Sequence, residues 1–256
     1  MCIRDRVKAG RIEEAIAEYK KLLAGEAADL SINNIIGDLY IQLGRISEAV
    51  QAFQSVGSFY ETKGYHSQAL AVYRKINKLD PNHVVAIVRM GDLYAAQGFA
   101  VEAKREYLKA GQILRQEKRL RELMFLYDKL IKLDRDNISF KLSLAELFEQ
   151  ERFIEEAVVQ LNDAAELLLS QDDLKEAEKV IEQARWLKAD DERTLTNLIE
   201  VLKRNGRREE AIRIVEDALS RDETNIRFRG ILGTLHLEDG KLEKAEKIFF
   251  DIVTEN

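Results

Sequence analysis

The chain has 256 residues, 46% apolar and 34% charged, with 40 Lys and Arg against 46 Asp and Glu for a net charge of −6. That is enough apolar material for a sizeable core, while the negative balance argues against a general nucleic-acid binder, which relies on surplus cations for phosphate. No apolar run approaches the ~20 residues that span a bilayer, and the single cysteine, Cys2, excludes an internal disulfide framework or a multi-cysteine metal site.

Ala, Leu, Glu, Lys and Ile dominate, Pro81 is the one proline, and no stretch alternates long enough to suggest sheet, so helix is expected nearly throughout. Residues 1–6 supply no helix of the pattern that follows. Met1 to Asp5 back-translate to a string like a transposon-end adapter, so residues 1–6 are expected to be a non-native, disordered segment, with Cys2 foreign to the natural protein. Residues 7–30 read as a partial repeat turning at Gly10. From residue 31 onward four segments align at a step of 54 residues, anchored at Gly37, Gly91, Ala145 and Ile199; the step then falls to 34 residues at Gly233. A second signature starts 20 residues after the first, as Gly57, Tyr60, Gly64, Ala69 and Tyr73. It recurs as Gly111, Leu114, Leu123 and Tyr127, then as Ala165, Leu168, Ala177 and Ile181. One helix must therefore close the first signature and open the next.

This reading gives three-helix units over 31–84, 85–138 and 139–192, with helices near 31–43, 46–62 and 66–79 in the first. Two-helix repeats over 193–226 and 227–256 follow, the last cut short, for about fourteen helices in one solenoid over 7–256. Gly44, Gly64, Gly98, Gly206 and Gly240 sit where helices stop, in the left-handed conformation glycine accepts. Gly37, Gly57, Gly91, Gly111 and Gly233 sit within helices at a cost of about 1 kcal/mol each, which points to close helix approach.

The recurring pattern of a small residue, an aromatic three later, a turn glycine, an alanine and a large residue resembles the tetratricopeptide repeat (TPR) family. Gly37, Tyr40, Gly44, Ala49 and Phe53 carry it, as do Gly91, Tyr94, Gly98, Ala103 and Tyr107. The likeness runs from about Gly10 to the C-terminus, and the shared helix departs from the simple family pattern. It implies an all-α solenoid and a protein-interaction scaffold taking a peptide or a partner helix in a concave groove. The alternative is the recognition array of a larger enzyme, such as a glycosyltransferase or kinase, whose catalytic domain lies outside this stretch. Single-stranded RNA binding is disfavoured by the charge and by the lack of a repeating basic position.

Nothing in the sequence has catalytic spacing, and neither cofactor nor metal is expected. His66, His83 and His236 share no ligand spacing, and His236 takes a position that is Tyr40, Tyr60 or Tyr94 elsewhere, which implies packing. The pairs Glu13-Glu14, Glu155-Glu156 and Glu209-Glu210 recur before the repeat alanine and read as solvated helix-start acids. Arg115 to Arg121 read as a solvated turn, and Trp186 is expected to be buried against the next repeat. In family members that clamp a C-terminal carboxylate, an asparagine directly follows the small anchor. Here Asp38, Asp92, Glu146 and Glu200 stand there, so that mode is not expected. These four acids, with Ser58, Gln112 and Glu166 on the intervening helices, are the candidate partner-binding residues, forming an acidic ladder suited to a basic peptide or helix. A cytoplasmic location is expected.

Overall fold

A computed structural model of the chain describes residues 3–23 and 30–254, which form fifteen α-helices and no strand. The helices are α1 (Ile3–Lys8), α2 (Ile12–Leu23), α3 (Leu30–Gln42), α4 (Ile46–Thr62), α5 (His66–Leu79), α6 (Val84–Ala96), α7 (Ala100–Gln116) and α8 (Leu120–Leu133). They continue as α9 (Ile138–Gln150), α10 (Ile154–Ser170), α11 (Leu174–Leu187), α12 (Glu192–Arg204), α13 (Arg208–Arg221), α14 (Ile226–Glu238) and α15 (Leu242–Thr254). Helix lengths of 13, 17 and 14 residues follow one another three times from α3 to α11. Two compact units divide the chain, Met1–Leu126 and Tyr127–Asn256, with the boundary inside α8. Within each unit, helices pack on their neighbours in chain order, the architecture of an α-solenoid.

The turn after α3 shows how the helices are closed. Gly44 is left-handed (φ 70°), the Gly44 N–H donates to Ile41 O, and the Arg45 N–H donates to Tyr40 O at 2.9 Å. This double bond satisfies carbonyls the helix end would leave orphaned. The flanking side chains pack across the turn as well. Arg45 lies over the Tyr40 ring at 5.0 Å, and Tyr65, Phe99 and Phe153 set their rings against Tyr60, Tyr94 and Phe148. Three turns of the series hold the left-handed conformation without glycine, at Lys118 (φ 57°), Arg152 (φ 63°) and Asp172 (φ 59°). The other turns among the described residues end in a side-chain cap: His83, Asn137, Asp191 and Asn225 each accept the N–H three residues on.

Packing depth is set by a small residue and a large one sixteen positions later. A Cβ added to Gly37 or Gly91 would lie 2.5 Å from the ring of Phe53 or Tyr107, and one added to Gly57 would lie 2.8 Å from Tyr73. In unit 2 the small positions are Ala145, Ala165 and Ile199 and the large ones Leu161, Ile181 and Val215, all buried in one core. The 17-residue α4 buries Ala49, Phe53, Val56 and Gly57 and packs on both α3 and α5.

The expectation that the chain starts without a helix is corrected for Ile3–Arg6, which belong to α1; Met1 and Cys2 lie outside the described residues. The turn at Gly10 has the same double bond as the others, with the Arg11 N–H donating to Arg6 O at 2.9 Å, and Arg6 reaches Glu18 at 3.1 Å. This short helix accounts for fifteen helices against the fourteen expected.

Candidate partner-binding surface

Each candidate acid directly follows a buried anchor, on α3, α6, α9 and α12. One step along a helix turns the side chain by about 100°, which moves it from the core to its edge. Asp38 takes the Lys75 ammonium at 2.5 Å, and the same ammonium lies over the Phe53 ring, 3.9 Å from its centroid. Asp92 accepts the Tyr107 hydroxyl at 2.6 Å and faces Arg89 at 3.9 Å. Burial first, and then this bond to a carboxylate, push the Tyr107 hydroxyl well above the ordinary phenol range. Glu200 holds Arg204 at 2.7 Å. Glu146 is exposed and forms no ion pair among the described residues. The acids are thus not linked to one another; three of the four bond to a different group of the protein.

The intervening positions differ in the same way. The Ser58 hydroxyl is hydrogen-bonded to Tyr73, whereas Glu166 grips Arg193 with both oxygens, at 2.6 and 2.8 Å. Arg193 also donates to Asp163 at 2.7 Å, and Asp163 takes the buried Lys141 ammonium at 3.0 Å. Burial would raise the Asp163 carboxyl, but the bonds from Lys141 and Arg193 outweigh it and hold the group below its usual range. Glu166 is likewise lowered, chiefly by Arg193. Beside this lock, buried Asn162 donates to Thr194 and Asp191 and accepts from Asn197. α9, α10 and α12 are joined by these bonds. No repeat comparison reveals them, because the position of Arg193 is Val85 and Ser139 in the preceding units and that of Lys141 is Ile87.

Charge is unevenly divided. Unit 1 has 19 Lys and Arg against 15 Asp and Glu, and unit 2 has 21 against 31. An acidic surface is therefore a property of the second unit.

The remaining candidates fall as follows. Trp186 is 78% exposed, which overturns its expected burial. α11 buries Ala177, Val180, Ile181 and Ala184, and Trp186 stands two residues past Ala184, about 200° around the helix. His236 is buried, as a packing residue is. Glu13, Glu155 and Glu209 are solvated, while Glu210 binds Arg207 at 2.7 Å. In the basic run, Arg119 is held by Glu122 and Glu117, which raise its guanidinium further above the usual range. Among the described residues, no helix is long and apolar enough to cross a membrane, and no three potential ligands group to hold a metal ion.

Helix pairs closed by left-handed turns, sharing cores along the chain and exposing polar residues beside each anchor, define a helical-repeat scaffold for protein interaction. The chain belongs to the tetratricopeptide repeat family: that repeat is matched over residues 3–59 and 196–256, and in a second form over 51–83, together more than half the chain. No curated protein matches the sequence. Among solved structures, the chain is similar to MamA (residues 41-end) from Desulfovibrio magneticus RS-1, at 16% identity over 80% of this chain and 93% of that one, with a TM-score of 0.33. A second MamA crystal structure aligns at 19% identity over 77% and 92%, with a TM-score of 0.26. Superposition this loose carries no argument.

Proposed function

We propose that the chain is an interaction scaffold for a basic partner, a Lys- and Arg-rich peptide or helix, contacted through Asp38, Asp92, Glu146 and Glu200. The observation that carries this reading is recurrence. One position of the repeat is acidic four times, and at Asp38 and Glu200 the side chain keeps 55% and 39% of its exposure despite its pairing. Lys75 and Arg204 illustrate how a cation sits on such an acid. Exposed pairs of this kind contribute only about 0–1 kcal/mol, so an incoming lysine or arginine can replace them at little cost. Affinity then comes from several such contacts together and weakens with salt.

The test replaces all four acids, as Asp38→Asn, Asp92→Asn, Glu146→Gln and Glu200→Gln. Binding of a fluorescent Lys/Arg-rich helical peptide is followed across a salt series, with pull-downs from the source cell in parallel. Weakened binding and a shallower salt slope are expected. Captured proteins and salt dependence identical to those of the parent would place the partner surface elsewhere.

A further inference from the structure

Each 14-residue helix is followed by a helix that starts on a side-chain cap: His83 for α6, Asn137 for α9, Asp191 for α12 and Asn225 for α14. An asparagine oxygen or an ionised aspartate accepts the first-turn N–H throughout the neutral pH range. His83 differs in chemistry. Its Nδ1 accepts from the Ala86 N–H at 3.1 Å, and an imidazole nitrogen accepts only while it carries no proton. Ala86 is buried, and its amide, in the first turn of α6, has no helical carbonyl to reach. The ring is what satisfies it.

The ring is also held against α4. The Gln54 amide lies 3.5 Å from the other ring nitrogen, Nε2, and 108 residues later Asn162 reaches Asp191 at 3.1 Å across the same separation of 29 residues. With Nδ1 accepting, the neutral ring keeps its hydrogen on Nε2, facing Gln54. Of the residues that line the cleft around His83, Asp80 is the charged one. α4 contributes Gln51 and Gln54 there, α5 ends on Leu79, and the first turn of α6 is Val84, Val85, Ala86 and Ile87, without charge. Asp80 and His83 share one tight turn: Asp80 accepts the Asn82 N–H at 3.1 Å on its carboxylate and the His83 N–H at 3.2 Å on its backbone oxygen.

We propose that His83 is a proton-operated cap, which closes the start of α6 when neutral and releases Ala86 for the Asp80 carboxylate when it takes a proton from solvent. Protonation sets a hydrogen on Nδ1 against the Ala86 hydrogen, so donor meets donor. It also adds positive charge at the positive end of the helix dipole. Asp80 supplies the counter-charge that the first turn of α6 lacks. An imidazole takes up its proton between about pH 8 and pH 5, so the cap is complete above that window and is lost as pH falls through it. The change belongs to unit 1, where the start of α6, the helix of Asp92, loosens. Asn137, Asp191 and Asn225 hold α9, α12 and α14 of unit 2 across the same window.

Native-state hydrogen exchange at the Ala86 amide, followed by NMR on the full chain, tests the switch. Between about pH 7.5 and pH 5 the Ala86 protection factor should fall about fivefold, the worth of a helix cap. The amides of Phe140 and Phe228, capped by Asn137 and Asn225, should stay level. His83→Asn keeps an acceptor that does not titrate and should abolish the fall with the fold intact. Asp80→Asn leaves the cap in place and should move the fall to lower pH. The ring nitrogen resonances give a second readout, with the hydrogen on Nε2 at the upper pH. A level Ala86 in the parent, an equal fall in His83→Asn, an unmoved midpoint in Asp80→Asn, or a hydrogen on Nδ1 at the upper pH would overturn the proposal.

Discussion

Unit 1 and unit 2 meet the same packing requirement with different side chains. In unit 1 glycine notches α3, α4 and α6 and the gap is filled by a ring, Phe53, Tyr73 or Tyr107, while the notch of α7 at Gly111 takes leucines. Unit 2 keeps that arrangement at Gly233 and Phe249, but elsewhere its notch is shallower, at Ala145 and Ala165, with Leu161 and Ile181 as fillers, and at Ile199 and Val215 it is gone. Between the glycine-and-ring pairs and Ala145 with Leu161 or Ala165 with Ile181, the anchor grows as the filler diminishes, so the summed volume is nearly held, the kind of exchange cores tolerate best. The polar chemistry diverges too. Unit 1 carries a slight excess of cations, whereas unit 2 is acidic and locks α10 to α12 through Lys141, Asp163, Glu166 and Arg193. Repeat geometry thus constrains volume and turn conformation far more tightly than residue identity.

The largest effect should come from mixing the two solutions. Gly91→Ala places a Cβ 2.5 Å from the Tyr107 ring, and the overpacking should cost about 1–3 kcal/mol despite the better helix former. Adding Tyr107→Leu reproduces the Ala145 and Leu161 combination of unit 2 and should recover most of that loss, although the bond to Asp92 goes with the hydroxyl. Hydrogen exchange resolves the units separately: protection should drop in unit 1 alone for the single variant. Equal losses in single and double variants would mean that reciprocal volume is not what matters.

Breaking the lock of unit 2 should do less. Arg193→Met leaves Asp163 with Lys141 but strips Glu166 of its partner, and at this partly exposed site a loss of about 1 kcal/mol is expected. The pH dependence carries a sign. Both carboxyls titrate lower in the folded chain than in the unfolded one. Their contribution is therefore complete above the unfolded values, near pH 4, and is lost as pH falls through the folded ones. Between pH 5 and pH 3 the parent's unit 2 should lose more stability than that of the Arg193→Met variant, whose profile flattens; parallel curves would refute a role for the lock.

The smallest change should be a gain. Lys118→Gly in unit 1 and Arg152→Gly in unit 2 relieve left-handed residues at turns where glycine stands elsewhere, for about 0.5–1 kcal/mol each in urea unfolding. Asp172→Gly should yield less, because aspartate tolerates this conformation better than long side chains do. A loss at any of these turns would show that the side chain, not the backbone, holds it.

Much of the fold was legible because its causes are local. A left-handed glycine closes a helix wherever it stands, and apolar periodicity marks a helical face without reference to any partner, so the helix ends of α4 and α5 and the notches at Gly37 and Gly91 could be read in advance. The exposure of Trp186 was also within reach, since its angle from the buried Ala177 and Ala184 follows from helix geometry alone. By itself, then, the sequence determined the helical class, the repeat and the small-against-large packing. Only the tertiary structure decided where the charges go. Asp38 meets Lys75 across 37 residues and Glu166 meets Arg193 across 27, and such pairs exist only once particular helices lie side by side. The helix at Ile3–Lys8 depends in the same way on packing against α2, because six residues cannot hold a helix alone.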